Sequence, residues 1–499
     1  MSGQTVIPKK VLQPIDRAAL GLMVVLSLLI GILLLSGDHT AAKVRDFSWN
    51  DKQVSTEDTA FLLTFSRPMN HASVEANLRI EPPIPGKISW AGRRMAYTPL
   101  FPVPYGSKYQ VELKGARDQI SGAEGKGKLM ESFTGSFRTR DRAFAYIGVD
   151  AKEQGRLILY NLTTQKKNIL TPADLVVMDF KPYPDGDRIL FSASDRSHQE
   201  QGLLTQQLYT VTTGLSFQSS ENEPEPQGRL DLVLDSKDYQ NLKFDLSADG
   251  KTIVVQRLNR RNPGDFGLWI IQPDAKPRRL GNQPGGDFTI HPDSTSLAVA
   301  QGQGVAMLSL KAGEKPLDFL PKFGVLLNFS KDGSAAAMVK FNTDYTRSLY
   351  LVTNQGTQKE LLRTTGSIQS CEFAPKRDTL YCLLTQLIKG EQYQEEPFFA
   401  AIDLKPDPNS KQSPVRPLVV LPNQREIQMS LSPDGLALLF DQIGTRPSSA
   451  TDTLRSGDGQ AIATGFLWML PLVDTTSSAP TTQLKPEQLL PGFHPRWLP

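Results

Sequence analysis

The sequence predicts an all-β fold: an N-terminal transmembrane helix, a β-sandwich, and a seven-bladed β-propeller closed by the C-terminal strand. The propeller is predicted from a turn that recurs seven times after residue 180. In each copy an apolar residue precedes a Pro-Asp-Gly-type turn, and another apolar run follows. Repeats spaced by roughly 40 to 60 residues indicate a repeat architecture, and hairpin turns between alternating apolar residues are typical of four-stranded propeller blades. The copies begin at Phe180, Leu246, Ile290, Phe329, Phe373, Leu431 and Phe493.

The amino-acid composition limits the classes of protein to which this chain can belong. The chain has 499 residues, of which 39% are hydrophobic and 21% charged, as in globular proteins rather than disordered or many-span membrane proteins. Its length predicts two or more domains. The net charge of +3 is small for this length and no basic run stands out, so no nucleic-acid partner is expected.

The uncharged run at 18–36 is predicted to be a transmembrane anchor. As a helix it would span about 28 Å, enough to cross a hydrocarbon core. Lys9, Lys10 and Arg17 precede it, so residues 1–17 are predicted as a cytoplasmic tail and the rest of the chain as periplasmic or otherwise extracytoplasmic. The expected location is a bacterial plasma membrane or an internal membrane. The alternative is a signal peptide whose cleavage releases a secreted propeller, although Ala41-Ala42 is a poor cleavage site.

Residues 44–141 are predicted to form a β-sandwich of about seven strands. Alternating stretches such as 60–65, 94–97 and 109–113 suit half-buried strands, and turn residues separate them at short spacing. The motifs Phe65-Ser-Arg-Pro68-Met69-Asn70, Ile80-Glu-Pro82, Tyr97-Thr-Pro99, Tyr105-Gly106-Ser-Lys-Tyr109 and Phe137-Arg-Thr139 follow in order. In this order they resemble the bacterial Ig-like domain of the SbsA type. The resemblance implies a spacer or adhesion-like module without catalytic residues.

Residues 144–499 are predicted as the propeller. Strands at 144–149, 156–162 and 166–170 lack a preceding first strand, whereas Phe493 to Trp497 looks like a first strand with nothing after it. Joining them completes one blade and removes two exposed edges. The other six blades are predicted near 176–214, 241–281, 285–321, 324–364, 367–422 and 426–491, which makes seven. Six or eight blades remain alternatives.

These blades resemble those of TolB-type (WD-like) bacterial propellers, whose turns also read apolar-x-Pro-Asp-Gly before the second strand. The resemblance covers about 350 residues of this chain. It implies an architecture and a periplasmic compartment, but no catalytic residue.

The two cysteines lie on either side of one repeat turn. The register that pairs Phe373 with Leu380 also pairs Cys371 with Cys382, so a cross-strand disulfide can form between them. The alternative is that both remain reduced thiols in the core of the blade.

No motif predicts a catalytic, cofactor-binding or metal-binding residue. The five histidines and two cysteines show no ligand spacing. Asp249-Gly-Lys-Thr252 is a blade turn rather than a phosphate loop, and no Gly-x-Ser-x-Gly elbow is present. Acidic pairs such as Glu395-Glu396 are expected to be solvated.

The first functional hypothesis is a membrane-anchored, non-enzymatic scaffold or binding protein, which acts through protein–protein or envelope-polymer interactions. The alternative is a propeller enzyme, such as a glycan lyase, hydrolase or lactonase, with its site at the channel mouth. Three insertions, at 216–240, at 389–396 continuing to 405–417, and at 444–464, are predicted as functional surfaces or disordered loops. Disorder is expected at 218–228.

Overall fold

The computed structural model describes residues 14–36, 41–119, 127–197, 202–215, 225–273, 275–281, 285–302, 304–314, 316–388, 394–405, 413–449, 452–472 and 484–499. Within these ranges the chain forms three helices, α1 (Pro14–Ser36), α2 (His71–Asn77) and α3 (Gly202–Thr205). The strands of the same ranges assemble into nine four-stranded sheets.

The predicted transmembrane segment at 18–36 lies within α1. Among the residues that the structure describes, no helix is long and apolar enough to cross a membrane. Most of the predicted cytoplasmic tail, residues 1–13, lies outside the described ranges.

The first two sheets form a β-sandwich. Sheet A has the order β1 (Val44–Phe47), β3 (Phe61–Phe65), β6 (Arg94–Pro99) and β5 (Gly86–Ala91). Sheet B has the order β2 (Gln53–Val54), β8 (Phe133–Thr139), β7 (Lys108–Leu113) and β4 (Leu78–Glu81). Alternate side chains of β3 and β7 point into one shared core, because side chains of a strand face opposite sides in turn.

The sandwich has eight strands in the described residues, one more than the approximate number predicted. The additional strand β2 has only two residues, too few for an alternating pattern to show in the sequence. It pairs in parallel with β8, whereas the other strand pairs of the described sheets are antiparallel.

The remaining seven sheets of the described chain follow one another from residue 143 to residue 497. Each has four strands. Sheet 1 contains β9 (Ala143–Ile147), β10 (Leu157–Asn161), β11 (Lys166–Ile169) and β36 (Phe493–Trp497). Sheet 2 contains β12 (Leu175–Pro182), β13 (Arg188–Asp195), β14 (Gln207–Thr212) and β15 (Leu230–Leu234). Sheet 3 contains β16 (Tyr239–Leu246), β17 (Ile253–Asn259), β18 (Phe266–Ile271) and β19 (Arg278–Arg279).

Sheets 4 to 7 repeat this pattern with consecutive strands. Sheet 4 contains β20 (Phe288–Ile290), β21 (Ser296–Gln301), β22 (Gly304–Ser309) and β23 (Asp318–Leu320). Sheet 5 contains β24 (Val325–Phe329), β25 (Ala335–Phe341), β26 (Arg347–Thr353) and β27 (Gln358–Thr364). Sheet 6 contains β28 (Ile368–Phe373), β29 (Thr379–Ile388), β30 (Gln394–Asp403) and β31 (Val415–Val420). Sheet 7 contains β32 (Met429–Leu431), β33 (Ala437–Arg446), β34 (Ala461–Pro471) and β35 (Glu487–Pro491).

The core of this region consists of apolar clusters between neighbouring sheets. Successive clusters join sheets 1 and 2, 2 and 3, 3 and 4, 4 and 5, 5 and 6, and 6 and 7, and a further cluster joins sheet 7 to sheet 1. Four-stranded sheets that pack face to face in this cyclic way are the architecture of a β-propeller.

The C-terminal strand pairs with the first strand of this region, as the sequence predicts. In β36, Phe493 lies opposite Ile147 and Trp497 lies opposite Phe144. Trp497 is buried, and its ring centroid lies 5.6 Å from that of Phe144.

The recurring turn is held by its aspartate and its glycine. In sheet 7, the Asp434 carboxylate accepts hydrogen bonds from Ser432 Oγ (2.6 Å) and from the Leu436 N–H (3.1 Å). Gly435 has φ +72°, a left-handed conformation that costs glycine little. In the copy that begins at Phe373, which lacks Asp-Gly, Arg377 adopts the left-handed conformation instead, with φ +56°.

The insertions are shorter than predicted, because strands occupy parts of all three. The outer strand β15 lies within 216–240, β30 and β31 extend into the second insertion, and β33 and β34 extend into 444–464. Much of the predicted disordered segment, residues 218–224, lies outside the described ranges, as do 389–393 and 406–412.

Candidate functional site

The propeller has two faces of different character. In sheets 2 to 7, the turn face carries the recurring turns between the first and second strands, and the loop face carries the loops between the second and third strands. Since strands alternate in direction, all recurring turns lie on one side of the ring. The two faces therefore present different residues to a partner.

The sandwich packs against the turn face. Asp434, in the recurring turn of sheet 7, accepts hydrogen bonds from the Tyr105 N–H at 3.1 Å and from Arg142 Nη2 at 3.0 Å. Arg140 Nη1 donates to the Pro499 carbonyl at 3.2 Å. These contacts join the sandwich and the segment that follows it to sheets 7 and 1.

Sheets 5 and 6 also contact the sandwich through their recurring turns. Lys331 Nζ lies 3.3 Å from Glu57 Oε1, and Lys376 Nζ lies 3.7 Å from the ring centroid of Phe101. The sandwich thus occupies part of the turn face and leaves the loop face open.

The loop face holds a cavity of about 740 Å³ between sheets 7, 1 and 2. One wall is apolar: Val176, Leu454 and Ile462 form a buried cluster, and Ile443 and Phe493 pack against it. Cavities of about 300–1,000 Å³ with an apolar wall and a few polar groups are typical of ligand sites. We take this loop-face cavity as the candidate functional site.

The predicted insertion at 444–464 builds a second wall, which is braced by hydrogen bonds. Glu426 accepts from the N–H groups of Gly457 (2.8 Å) and Asp458 (3.0 Å). Arg446 Nη1 donates to Asp452 at 2.9 Å, and this hydrogen bond is the largest of the contacts that lower the pKa of Asp452 to about 2. Polar contacts within the protein therefore brace the described parts of the insertion.

His494 lies at the floor of the cavity with unusual backbone geometry. Its φ is +53°, in the left-handed region that non-glycine residues rarely adopt. Its Nε2 lies 3.3 Å from Asp179 Oδ1 and 3.3 Å from Arg496 Nε. Burial lowers the pKa of His494 to about 4, although Asp179 opposes this shift. The imidazole is therefore neutral near pH 7.

Asp441 is the second buried polar group at the floor. Its carboxylate accepts from the Gln428 N–H and from the His494 N–H, each at 2.7 Å. Burial raises its pKa to about 6 in spite of these hydrogen bonds. Asp441 thus fixes the backbone of two inner strands, β32 and β36, beside the cavity.

His494 is poorly suited to proton transfer near neutral pH, and the carboxylates of the site are engaged within the protein. A general base works best when its pKa lies near the working pH, whereas a histidine with a pKa of about 4 is a weak base. The carboxylates of Glu426, Asp441 and Asp452 already accept hydrogen bonds from the protein. In the part of the chain that the structure describes, no group of three metal-ligating side chains comes together.

The two sequence-predicted residues do not line this cavity. Cys371 and Cys382 lie opposite each other on β28 and β29 and are joined by a disulfide in the core between sheets 5 and 6. The residues of the floor were not predicted. His494 stands directly after Phe493 in a repeat copy that lacks Asp-Gly, and this departure from the repeat was a signal that could have marked it.

Comparison with solved structures finds TolB-type and other β-propellers. TolB from Acinetobacter baumannii is 11% identical, with a TM-score of 0.40, over 85% of this chain and 83% of TolB. An oligogalacturonate lyase from Vibrio parahaemolyticus is 11% identical, with a TM-score of 0.43, over 57% of this chain and 80% of the lyase. A 6-phosphogluconolactonase candidate from Bacteroides uniformis is 11% identical, with a TM-score of 0.42, over 72% and 99%. No family model and no curated protein matches the sequence. These similarities assign no activity or partner to this chain.

Proposed function

We propose that this protein is a membrane-tethered, extracytoplasmic binding protein that holds a protein partner or an envelope polymer at its loop-face cavity. The observation that carries the proposal is the division between the two faces. The sandwich packs on the turn face through Asp434, whereas the loop face offers a braced cavity of about 740 Å³. A partner therefore finds its binding surface on the side away from the sandwich.

The proposed scaffold is a seven-bladed propeller closed by β36. The cyclic series of core clusters supports seven blades, because the cluster of sheets 7 and 1 contains Leu439 and Leu467 together with Phe144 and Trp497. The sandwich is proposed to serve as an Ig-like spacer. Its two sheets share one core, as sandwiches of that class do.

Helix α1 is proposed to attach the chain to the membrane with residues 1–17 in the cytoplasm. Its apolar side chains support this, since Leu22 and Met23 are 62% and 61% exposed and large exposed apolar surfaces mark sites of association. Extraction of membranes with carbonate tests the attachment. The protein should stay in the pellet, and release into the supernatant would contradict it.

A propeller enzyme is the second candidate, and Asp441 is the observation that favours it. A carboxyl group with a pKa of about 6 beside a cavity is suited to proton transfer near neutral pH. Its hydrogen bonds to two backbone N–H groups instead favour a structural role. Turnover of a glycan or lactone substrate that is lost in Asp441→Asn would favour the enzyme.

Affinity purification from crosslinked, solubilised membranes tests the binding function. The Gln428→Trp variant fills the cavity while it keeps the N–H that Asp441 accepts. Val420→Trp, on an exposed position of the outer strand β31, is the matched control. A specific partner should be recovered with the wild type and with Val420→Trp but lost with Gln428→Trp. Recovery of no specific partner, or equal recovery with both variants, would contradict the proposal.

A further inference from the structure

A second depression lies on the loop face, between sheets 5 and 6, apart from the cavity. This aromatic groove has a volume of about 500 Å³, and its lining includes Phe341, Tyr345 and Leu387 together with the charged side chains of Asp344 and Arg347. Phe341 and Tyr345 are 57% and 92% exposed. Two aromatic rings and an aliphatic side chain that line one groove are thus exposed to solvent.

Tyr345 occupies a backbone conformation that does not suit it. Its φ is +64°, which is a true outlier for a bulky side chain and is readily adopted by glycine or asparagine. The ring gains little packing in return, because most of it is exposed. An aromatic residue at such a position lowers stability relative to glycine, which makes a contact outside the folded chain a hypothesis to test.

The turn that carries Tyr345 is rigid. Asn342 Nδ2 donates to Thr346 Oγ1 at 3.0 Å and to Ser348 Oγ at 2.8 Å, and the Asn342 N–H donates to the Thr346 carbonyl at 2.9 Å. Arg363, on the neighbouring strand β27, donates to Asp344 of this turn at 2.5 Å. The Tyr345 ring is therefore presented on a preorganised support, which lowers the entropy cost of binding.

The ring of Phe341 is held in place by the backbone at Gly324. Phe341 lies over Gly324, where a β-carbon would come within 2.5 Å of its ring. The groove floor is therefore fixed by close contact with the backbone. Tyrosine and arginine in such a setting are the side chains that most often dominate the energy of protein–protein interfaces.

Charge and hydrogen bonding indicate the chemistry of the occupant. Both amide hydrogens of Asn342 and the Asp344 carboxylate are already engaged within the protein. Arg347 Nη1 donates to the carbonyls of Gly366 (3.0 Å) and Thr365 (3.4 Å), and no ion pair of Arg347 occurs among the described residues. The Asp344 carboxylate of the same groove is instead paired with Arg363, so the charge of Arg347 is the one left without a counter-charge. Its positive charge suits a carboxylate on the partner.

From these contacts we infer that the aromatic groove binds a segment of a partner protein that inserts one apolar side chain between Phe341 and Tyr345 and places an acidic side chain beside Arg347. This site is separate from the loop-face cavity, so its existence does not depend on the function proposed for the cavity.

The test uses the full chain and a defined probe. Random peptides displayed on phage are selected on the immobilised protein, and the selected sequences are synthesised and measured by fluorescence anisotropy. Peptides that pair an aromatic or large aliphatic residue with Asp or Glu should emerge. Their affinity should fall by about tenfold or more in Tyr345→Gly and in Arg347→Gln.

The control separates binding from folding. Tyr345→Gly relieves the left-handed backbone, so the variant should fold and melt at the same temperature or higher. Gln165, on the turn face, has a similar φ of +55°. The control variant Gln165→Gly removes the same kind of backbone strain and should leave peptide affinity unchanged. The inference is overturned if the selected peptides bind Tyr345→Gly as well as they bind the wild type. It is also overturned if the groove residues instead control self-association in sedimentation experiments, or binding of peptidoglycan fragments.

Discussion

The Asp434 carboxylate, in the last Asp-Gly turn of the repeat, accepts a hydrogen bond at 3.0 Å from Arg142, which lies between the sandwich and the propeller. Asp434 also accepts from the Tyr105 N–H of the sandwich. Burial would raise the pKa of Asp434, but Arg142, Ser432 and the Tyr105 N–H together hold the pKa below its usual value. A turn residue of the repeat thus fixes the sandwich on the turn face.

Removal of Arg142 should loosen this contact. Arg142→Met leaves the fully buried Asp434 carboxylate without its cation. The state in which the sandwich packs on the turn face should therefore be destabilised by about 2–4 kcal/mol. Hydrogen exchange at the Tyr105 amide and urea unfolding measure the effect. The control is Arg377→Met, which removes a half-exposed ion pair with Asp332 and should cost about 0–1 kcal/mol. Equal effects of the two substitutions would contradict the role given to Asp434.

The neutral state of His494 predicts a pH dependence of stability. The pKa of His494 falls from 6.5 to about 4 because the ring is buried. Between these values the unfolded chain binds a proton that the folded protein does not. The contribution of neutral His494 to the free energy of unfolding is therefore fully present above pH 6.5 and is lost as the pH falls toward 4. His494→Asn keeps a residue that tolerates φ +53° and removes the titration.

The measured quantity is the difference in melting temperature between wild type and His494→Asn. As the pH falls from 6.5 to 4, the melting temperature of His494→Asn should rise relative to that of the wild type. Asp441 and Glu372 have raised pKa values, about 6 and about 7, which give the opposite slope in both proteins and cancel in the difference. A difference that is constant with pH would show that His494 is not buried in neutral form.

Closure by β36 predicts that the C-terminus stabilises the whole ring. Deletion of residues 493–499 removes the strand that pairs with β9 and exposes an edge, so cooperative melting should be lost or shifted strongly downward. The milder Trp497→Ala change should cost about 3–5 kcal/mol, because this indole is buried against Phe144. Val420→Ala, at an exposed position, is the control. A truncated chain that melts like the full one would rule out closure.

The disulfide predicts a redox-dependent stability. Cys371 and Cys382 close a loop with a sequence separation of 11, for which the loss of chain entropy in the unfolded state corresponds to about 2–3 kcal/mol. Reduction of the wild type, or the double change to Ala, should lower the urea midpoint accordingly. The double variant should not respond to reductant. A wild type equally insensitive to reductant would mean that the thiols are free.

The repeat made most of the propeller predictable, because its turn chemistry is local. Asp434 and Gly435 hold the turn through contacts within five residues, and the pairing of Phe493–Trp497 with β9 followed from one missing and one surplus strand. Strand β15 was missed because it is separated from β14 by 17 residues, from 213 to 229, without a blade-like pattern.

The candidate site could not be predicted, because its geometry depends on distant residues. Asp179 and His494 lie 315 positions apart in the sequence and meet only when β36 joins sheet 1 beside sheet 2. A bulge between Val177 and Asp179 and another between Phe493 and Arg496 also re-aim these side chains. Such irregularities leave no periodic signal in a single sequence.

Site-specific photo-crosslinking in intact membranes tests the division between the faces most directly. A photoreactive residue is placed at Gln428, on the cavity, or at Lys376, which contacts Phe101 of the sandwich. Position 428 should crosslink to another molecule, whereas position 376 should crosslink within the chain, to the segment around Phe101. Crosslinking of position 376 to a separate partner, with none from position 428, would contradict the division between the faces.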